Sequence, residues 1–141
     1  MIYKIYTDGA CIGNPGNGGW AALIISGNKK DYLKGSKKNT TNNQMELTAP
    51  IEALKIIPNG SSVEIYTDSK YLKDGITEWI INWKKNDWKT SNKKTVKNID
   101  LWKELDKLTK NFEISWHWVK AHAGNEFNEE VDKLANETAK N

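Results

Sequence analysis

Four carboxylates, Asp8, Glu46, Asp68 and Asp132, are spread over nearly the whole chain. Two of them close near-identical strand-like runs, Ile5-Tyr6-Thr7-Asp8-Gly9 and Ile65-Tyr66-Thr67-Asp68-Ser69. On neighbouring strands these acids would stand side by side at the tips. Acids aimed at one point repel each other unless cations lie between them, and a divalent-metal site for phosphoryl transfer is built that way. All-oxygen ligands select Mg2+ or Mn2+ over zinc, which favours His and Cys. Taken singly, each acid has an ordinary use. Asp-Gly ends strands in turns, Asp68-Ser69 can cap a helix, and Glu46 and Asp132 can complement helix dipoles. Those uses leave the matched pair with its two companions unexplained.

The acids need elements to carry them. Residues 2–7 pattern as a buried strand ended by Asp8-Gly9, and residues 11–19, with four glycines and a proline, pattern as a loop allowing tight turns and close approach. Trp20 to Ile25 and residues 30–37 give two more strands, the latter polar and suited to an edge. Short connections favour an antiparallel meander for the three. Gln44 to Ile57 has helical spacing, with Met45, Ala49, Ala53, Ile56 and Ile57 inward. Pro50 interrupts it for no reason visible in the sequence. Residues 62–67 form a strand parallel to the first by a right-handed crossover. Short helices over 69–75, ending at Gly75, and about 77–85 precede a lysine-rich stretch, a helix over about 99–110 and a strand at 112–119. A last helix starts near Asn125. Ligands of such sheets sit beyond the carboxyl ends of parallel strands. The first strand should be central, so Asp8 is the acid best placed to bridge two ions.

At 141 residues the chain is long enough for one domain with a real core. Its net charge is only +3, but residues 84–97 hold six lysines against the single acid Asp87. A weakly acidic body with one basic projection suits a polyanion gripped locally. The lone Cys11 forms no internal disulfide, the N-terminus carries no basic-then-apolar leader, and no apolar run reaches membrane-spanning length. These features lead to the expectation of a reduced, soluble, cytoplasmic protein. His122, in the loop Val119-Lys120-Ala121-His122-Ala123-Gly124, lies ten residues before Asp132 and is placed to move protons at the reaction centre. Trp79 and Trp83 are spaced for a helix core, and Trp88 among lysines suits contact with a nucleic-acid backbone. Trp20, Trp102, Trp116 and Trp118 read as packing, and His117 as structural.

The motif order resembles bacterial type 1 ribonuclease H along essentially the whole chain. The motifs that carry the resemblance are Tyr6-Thr7-Asp8-Gly9 with Gly13-Asn14-Pro15-Gly16, Thr41-Asn42-Asn43-Gln44-Met45-Glu46-Leu47, Thr67-Asp68-Ser69, Trp83-Lys84, Val119 to Asn125, and Asp132 with Leu134-Ala135. The resemblance implies one ribonuclease H-like α/β domain over 1–141. Its sheet is five-stranded and mixed, with a three-strand antiparallel meander plus two parallel strands in the order 3-2-1-4-5, and helices on both faces. It implies an endonuclease, working as a monomer, that cuts the RNA strand of RNA/DNA hybrids and leaves 3′-hydroxyl and 5′-phosphate ends. Asp8, Glu46, Asp68 and Asp132 would hold two Mg2+ ions, replaceable by Mn2+, and His122 would assist proton transfer or product release. Asn14, Thr41, Asn42, Asn43 and Asn82 would contact the hybrid. A basic protrusion at about 79–97, with Trp79, Lys84, Lys85, Trp88 and Lys89, would grip the DNA strand. The chain departs from the pattern at Gln44, where arginine is frequent, at Lys70, where glutamine is common, and at Ala121, where glycine is common.

Three other functions compete. A transposase- or integrase-like enzyme cutting DNA is disfavoured by the early Glu46, His122 and the basic projection. A hybrid-binding module would gain nothing from acids focused near phosphates. An ATPase domain would need a GxxxxGK[ST] loop, which the sequence lacks.

Overall fold

The computed structural model describes residues 2–121 and 123–140. Strands β1 (Ile2–Ile12), β2 (Gly16–Ser26) and β3 (Lys29–Thr40) form an antiparallel meander. Helix α1 (Asn42–Lys55) crosses over to β4 (Ser62–Thr67), which pairs parallel with β1. Helix α2 (Lys70–Asp74), a π-helical turn (Gly75–Trp79) and α3 (Ile80–Lys85) follow without a break. After the lysine-rich segment come α4 (Ile99–Thr109), β5 (Glu113–Trp118), parallel to β4, and α5 (Glu126–Ala139). The sheet order is β3-β2-β1-β4-β5, as expected.

Alternation along the strands divides the core in two. Ile5, Ala22, Ile24, Val63 and Ile65 face one side, under α1 and Trp102 of α4. Tyr6, Ala10, Ala21 and Leu23 face the other, against Val131, Ala135 and Ala139 of α5. Helices therefore cover both faces. Across the β1-β4-β5 register, Tyr6, Tyr66 and His117 stack in a ladder with ring centroids 4.6 and 4.8 Å apart.

The glycines act differently from expectation. Most of residues 11–19 are strand, because β1 runs on to Ile12 and β2 begins at Gly16, leaving a turn of only three residues. A methyl group on Gly18 would overlap Thr40, and one on Gly19 would sit 2.5 Å from the Ala135 oxygen and the Ala139 nitrogen. These positions lack side chains so that helices can lie against the sheet. Gly75 likewise does not stop a helix. Its backbone is right-handed helical, and its missing Cβ makes room for the Trp102 indole.

Pro50 is buried inside an uninterrupted α1. Having no N–H, it cannot bond the carbonyl four residues back, that of Glu46. The helix stops at Lys55, so Ile56 is exposed while Ile57 turns inward. Residues 88–96 form a narrow loop closed by Val96 N–H to Trp88 O and Thr90 N–H to Lys94 O, at 3.1 and 2.8 Å. Buried Val96 and half-buried Trp88 pin this loop to the core. Among the described residues, no helix is long and apolar enough to cross a membrane.

Candidate active site

Thr7 and Thr67 are the last pair of the β1–β4 ladder. Beyond them β4 ends while β1 continues beside β2 alone, so a gap opens at the carboxyl end of β4. Asp8 and Asp68 are the next residues, and strand alternation turns both to the face that α5 covers. Thr41 caps α1 by accepting the Gln44 N–H at 3.2 Å. That cap starts the helix so that its first turns bring Glu46 to the gap. One carboxylate oxygen from each of Asp8, Glu46 and Asp68 lies within 4.8 Å of the others. Asp132, in the second turn of α5, stands outside this group of three but reaches Asp8 by hydrogen bond and charge.

The electrostatics are unfavourable as they stand. Asp8 is 3% exposed and Glu46 5%. Burial, then the charges of Glu46 and Asp68, then Asp132, push the Asp8 carboxyl up to about 11. Burial and then the Asp68 charge hold Glu46 well above the usual carboxylate range, although the Gly9 N–H and Asp8 work the other way. Asp8 Oδ2 and Glu46 Oε1 are buried without a hydrogen-bond partner. Orphaned oxygens on crowded carboxylates are costly unless a cation takes them. Hard anionic donors at this spacing suit a Mg2+-class ion.

Sequence reasoning missed Asn128. It is 2% exposed, its Nδ2 stands 3.5 Å from Asp68 Oδ2, and its Oδ1 has no partner. No local sequence signal marks it, because its role depends on how α5 docks beside Asp68. Asn125 caps the same helix by accepting the Asn128 N–H at 3.0 Å. His122 lies outside the described residues.

Beside the acids, Asn14, Thr41, Asn42 and Asn43 line a cleft of about 510 Å3 together with Cys11, Pro15, Lys97 and Asn98. Asn14 Oδ1 accepts the Asn42 N–H at 2.9 Å, tying the β1–β2 turn to the start of α1. Gln44 accepts from the Thr40 hydroxyl at 2.7 Å and reaches Asn98 Oδ1 at 3.4 Å. Asn98 in turn donates to Tyr71.

The residues of the projection are not equivalent. Asn82, Lys84, Lys85 and Lys89 are exposed. Lys84 is nevertheless held by Asp106 at 2.7 Å, whereas Lys85 and Lys89 make no ion pair among the described residues. Trp79 is partly exposed and sits edge-on to Tyr71, and Trp83 packs against Trp102. Trp88 carries Lys103 over its ring. Trp118, expected to be packing, is 40% exposed.

Sheet and site together define a mixed α/β protein with a buried, cation-seeking acidic centre at the switch between β1 and β4. Residues 2–140 match the RNase H family model, and the chain belongs to the ribonuclease H family, which are hydrolases. It is 59% identical over 131 residues to a ribonuclease H of Wolbachia sp. subsp. Drosophila simulans (strain wRi), covering 93% of this chain and 90% of that protein. It is 55% identical over 131 residues to a ribonuclease H of Rhodopseudomonas palustris (strain BisB5), covering 93% and 87%. The crystal structure of LC9-RNase H1, described as a type 1 RNase H with the type 2 active-site motif, superposes with a TM-score of 0.87. Its identity is 30%, over 99% of this chain and 72% of that one.

Proposed function

We propose that this chain cleaves the RNA strand of RNA/DNA hybrids endonucleolytically, by two-metal-ion hydrolysis that leaves 3′-hydroxyl and 5′-phosphate ends. The observation that carries the reading is the trio Asp8, Glu46 and Asp68, the first two buried, with one oxygen of each within 4.8 Å of the others and with an orphaned oxygen on both Asp8 and Glu46. Asp8, Glu46, Asp68 and Asp132 would hold two Mg2+ ions, with Mn2+ able to substitute. When bound, such ions supply activation of the attacking water and stabilisation of the leaving oxygen.

The protein's part is orientation. Asp8, buried on the first strand and acted on by Glu46, Asp68 and Asp132, would be a ligand shared between the ions. The Gly9 N–H and the Asn128 amide fix the directions of Glu46 and Asp68. His122 handles the proton at the leaving group or assists release. Asn14, Thr41, Asn42 and Asn43 line a polar cleft suited to a minor groove, because Asn side chains donate and accept together. The 2′-hydroxyl is what tells RNA from DNA in such a groove. Asn82, Trp79, Lys84, Lys85, Trp88 and Lys89 grip the DNA strand without regard to sequence. Residues 1–141 act as one ribonuclease H domain with the basic protrusion at 79–97, as a cytoplasmic monomer.

The test is cleavage of an end-labelled RNA/DNA hybrid beside RNA and DNA duplexes, with Mg2+ and with EDTA. Cutting confined to the hybrid's RNA strand and lost with EDTA is expected. Equal cutting of duplex DNA, or activity indifferent to EDTA, would overturn the reading.

A further inference from the structure

Trp118 ends β5 beside the acidic crevice, and its indole is attached to it. The Nε1–H donates to the backbone carbonyl of Asp68 at 3.1 Å. That carbonyl lies just past the last β4–β5 pair, Thr67 with Trp118. Around it, Val119 N–H closes on Thr67 O at 2.9 Å, and Ser69 N–H on Thr67 Oγ1 at 3.0 Å. Ser69 Oγ then caps α2 through the Leu72 N–H at 3.1 Å. The Asp68 peptide is thus clamped between a helix cap and the neighbouring strand. The face of the same indole carries a cation, with Lys70 Nζ 4.8 Å from the ring centroid.

We propose that Trp118 is a positioning residue with two roles, an inference that rests on the hybrid-cleaving function above. Its N–H fixes the Asp68 backbone, and with it the direction in which the carboxylate meets a divalent ion. Its face parks the Lys70 ammonium at the crevice rim, where a phosphate of the hybrid passes. A carboxylate on a peptide free to rotate would spend part of its time aimed away from the ion, so the first role acts on metal affinity. A cation on an exposed indole is held weakly, so Lys70 can move to a phosphate, and the second role acts on substrate affinity.

Two substitutions separate the roles. Trp118→Phe removes the N–H and keeps an aromatic face, whereas Lys70→Gln removes the cation and keeps the indole. The readouts are the Mg2+ concentration at the midpoint of the thermal shift, without substrate, and the salt dependence of KM for hybrid. For Trp118→Phe we expect a midpoint raised roughly three- to tenfold, a kcat recovered at saturating Mg2+, and the wild-type salt slope. For Lys70→Gln we expect the wild-type midpoint and a slope shallower by about 0.9. An unchanged midpoint in folded Trp118→Phe, or an unchanged slope in Lys70→Gln, overturns the corresponding role. Should Trp118→Phe fail to fold, the unmodified protein decides: its Trp118 indole N–H resonance should shift along the Mg2+ titration, and a resonance that stays fixed overturns the proposal. Wild-type protein that leaves hybrids intact sinks the functional reading, whereas wild-type cleavage with an unchanged midpoint in Trp118→Phe sinks this inference alone.

Discussion

Gly9 lies directly under the backbone of Glu46: a methyl group there would overlap the Glu46 nitrogen and the Met45 carbonyl carbon. The bare position lets the first turn of α1 rest on β1, which brings the Glu46 carboxylate beside Asp8. Gly9→Ala must push the helix away, because no flexible side chain is there to yield. The expected loss is about 1–3 kcal/mol of stability, the usual scale of overpacking, with weakened Mg2+ binding. Urea denaturation and a Mg2+ titration by thermal shift measure both, and wild-type values in both would contradict the contact.

Asp8→Asn preserves shape and removes a buried carboxyl that must take up a proton to fold without metal. The metal-free variant should be more stable than wild type by about 1 kcal/mol, roughly 3–5 °C in Tm for a chain of this size. It should bind hybrid nearly as well and turn it over no faster than background. Retained activity would exclude Asp8 as a metal ligand.

The upward shifts of Asp8 and Glu46 set a pH dependence. Unfolded carboxyls titrate near about 4, and in the folded protein Asp8 is pushed up to about 11 by burial and its acidic neighbours. Above pH about 4 the native state therefore holds protons that the unfolded state has lost, so these groups lower stability as pH rises across neutrality. Metal-free protein should melt at a lower temperature at pH 8 than at pH 5. Mg2+ should restore more at pH 8, because fewer protons compete for the same oxygens. A metal-free Tm that rises over this interval, or an equal Mg2+ effect at both values, would contradict the assigned protonation.

The lysines of the projection should fall into two groups. Lys85→Ala and Lys89→Ala should raise KM for hybrid and leave Tm within about a degree. Lys84→Ala should also cost up to about 1 kcal/mol, the scale of an exposed ion pair, because its partner Asp106 loses its short contact. Replacing Lys84, Lys85 and Lys89 together should raise KM with little change in kcat. A fall in kcat at constant KM would remove their gripping role.

Where side-chain periodicity decides the structure, the sequence was legible. Ile5 against Tyr6, and Ile65 against Tyr66, sort strands into faces, and that sorting already aligns Asp8 with Asp68. Missing side chains were harder to interpret. A glycine signals only that a Cβ is absent; a turn, a helix lying against the sheet and an incoming indole all require the same absence. Residues 11–19 and Gly75 therefore read as a loop and a stop, whereas α1, α5 and Trp102 fill those spaces. Asn128 and Trp118 act through polar atoms placed by tertiary contacts, which no local pattern encodes.

Asp8 belongs to the first strand and Asp132 to the last helix, which docks through Val131, Ala135 and Ala139 onto Tyr6, Ala21 and Leu23. The chain is made from its N-terminus, so the meander β1–β3 precedes that helix in synthesis. The nascent polypeptide therefore emerges unarmed, and its fourth acid joins the others only once that helix has been made and has docked.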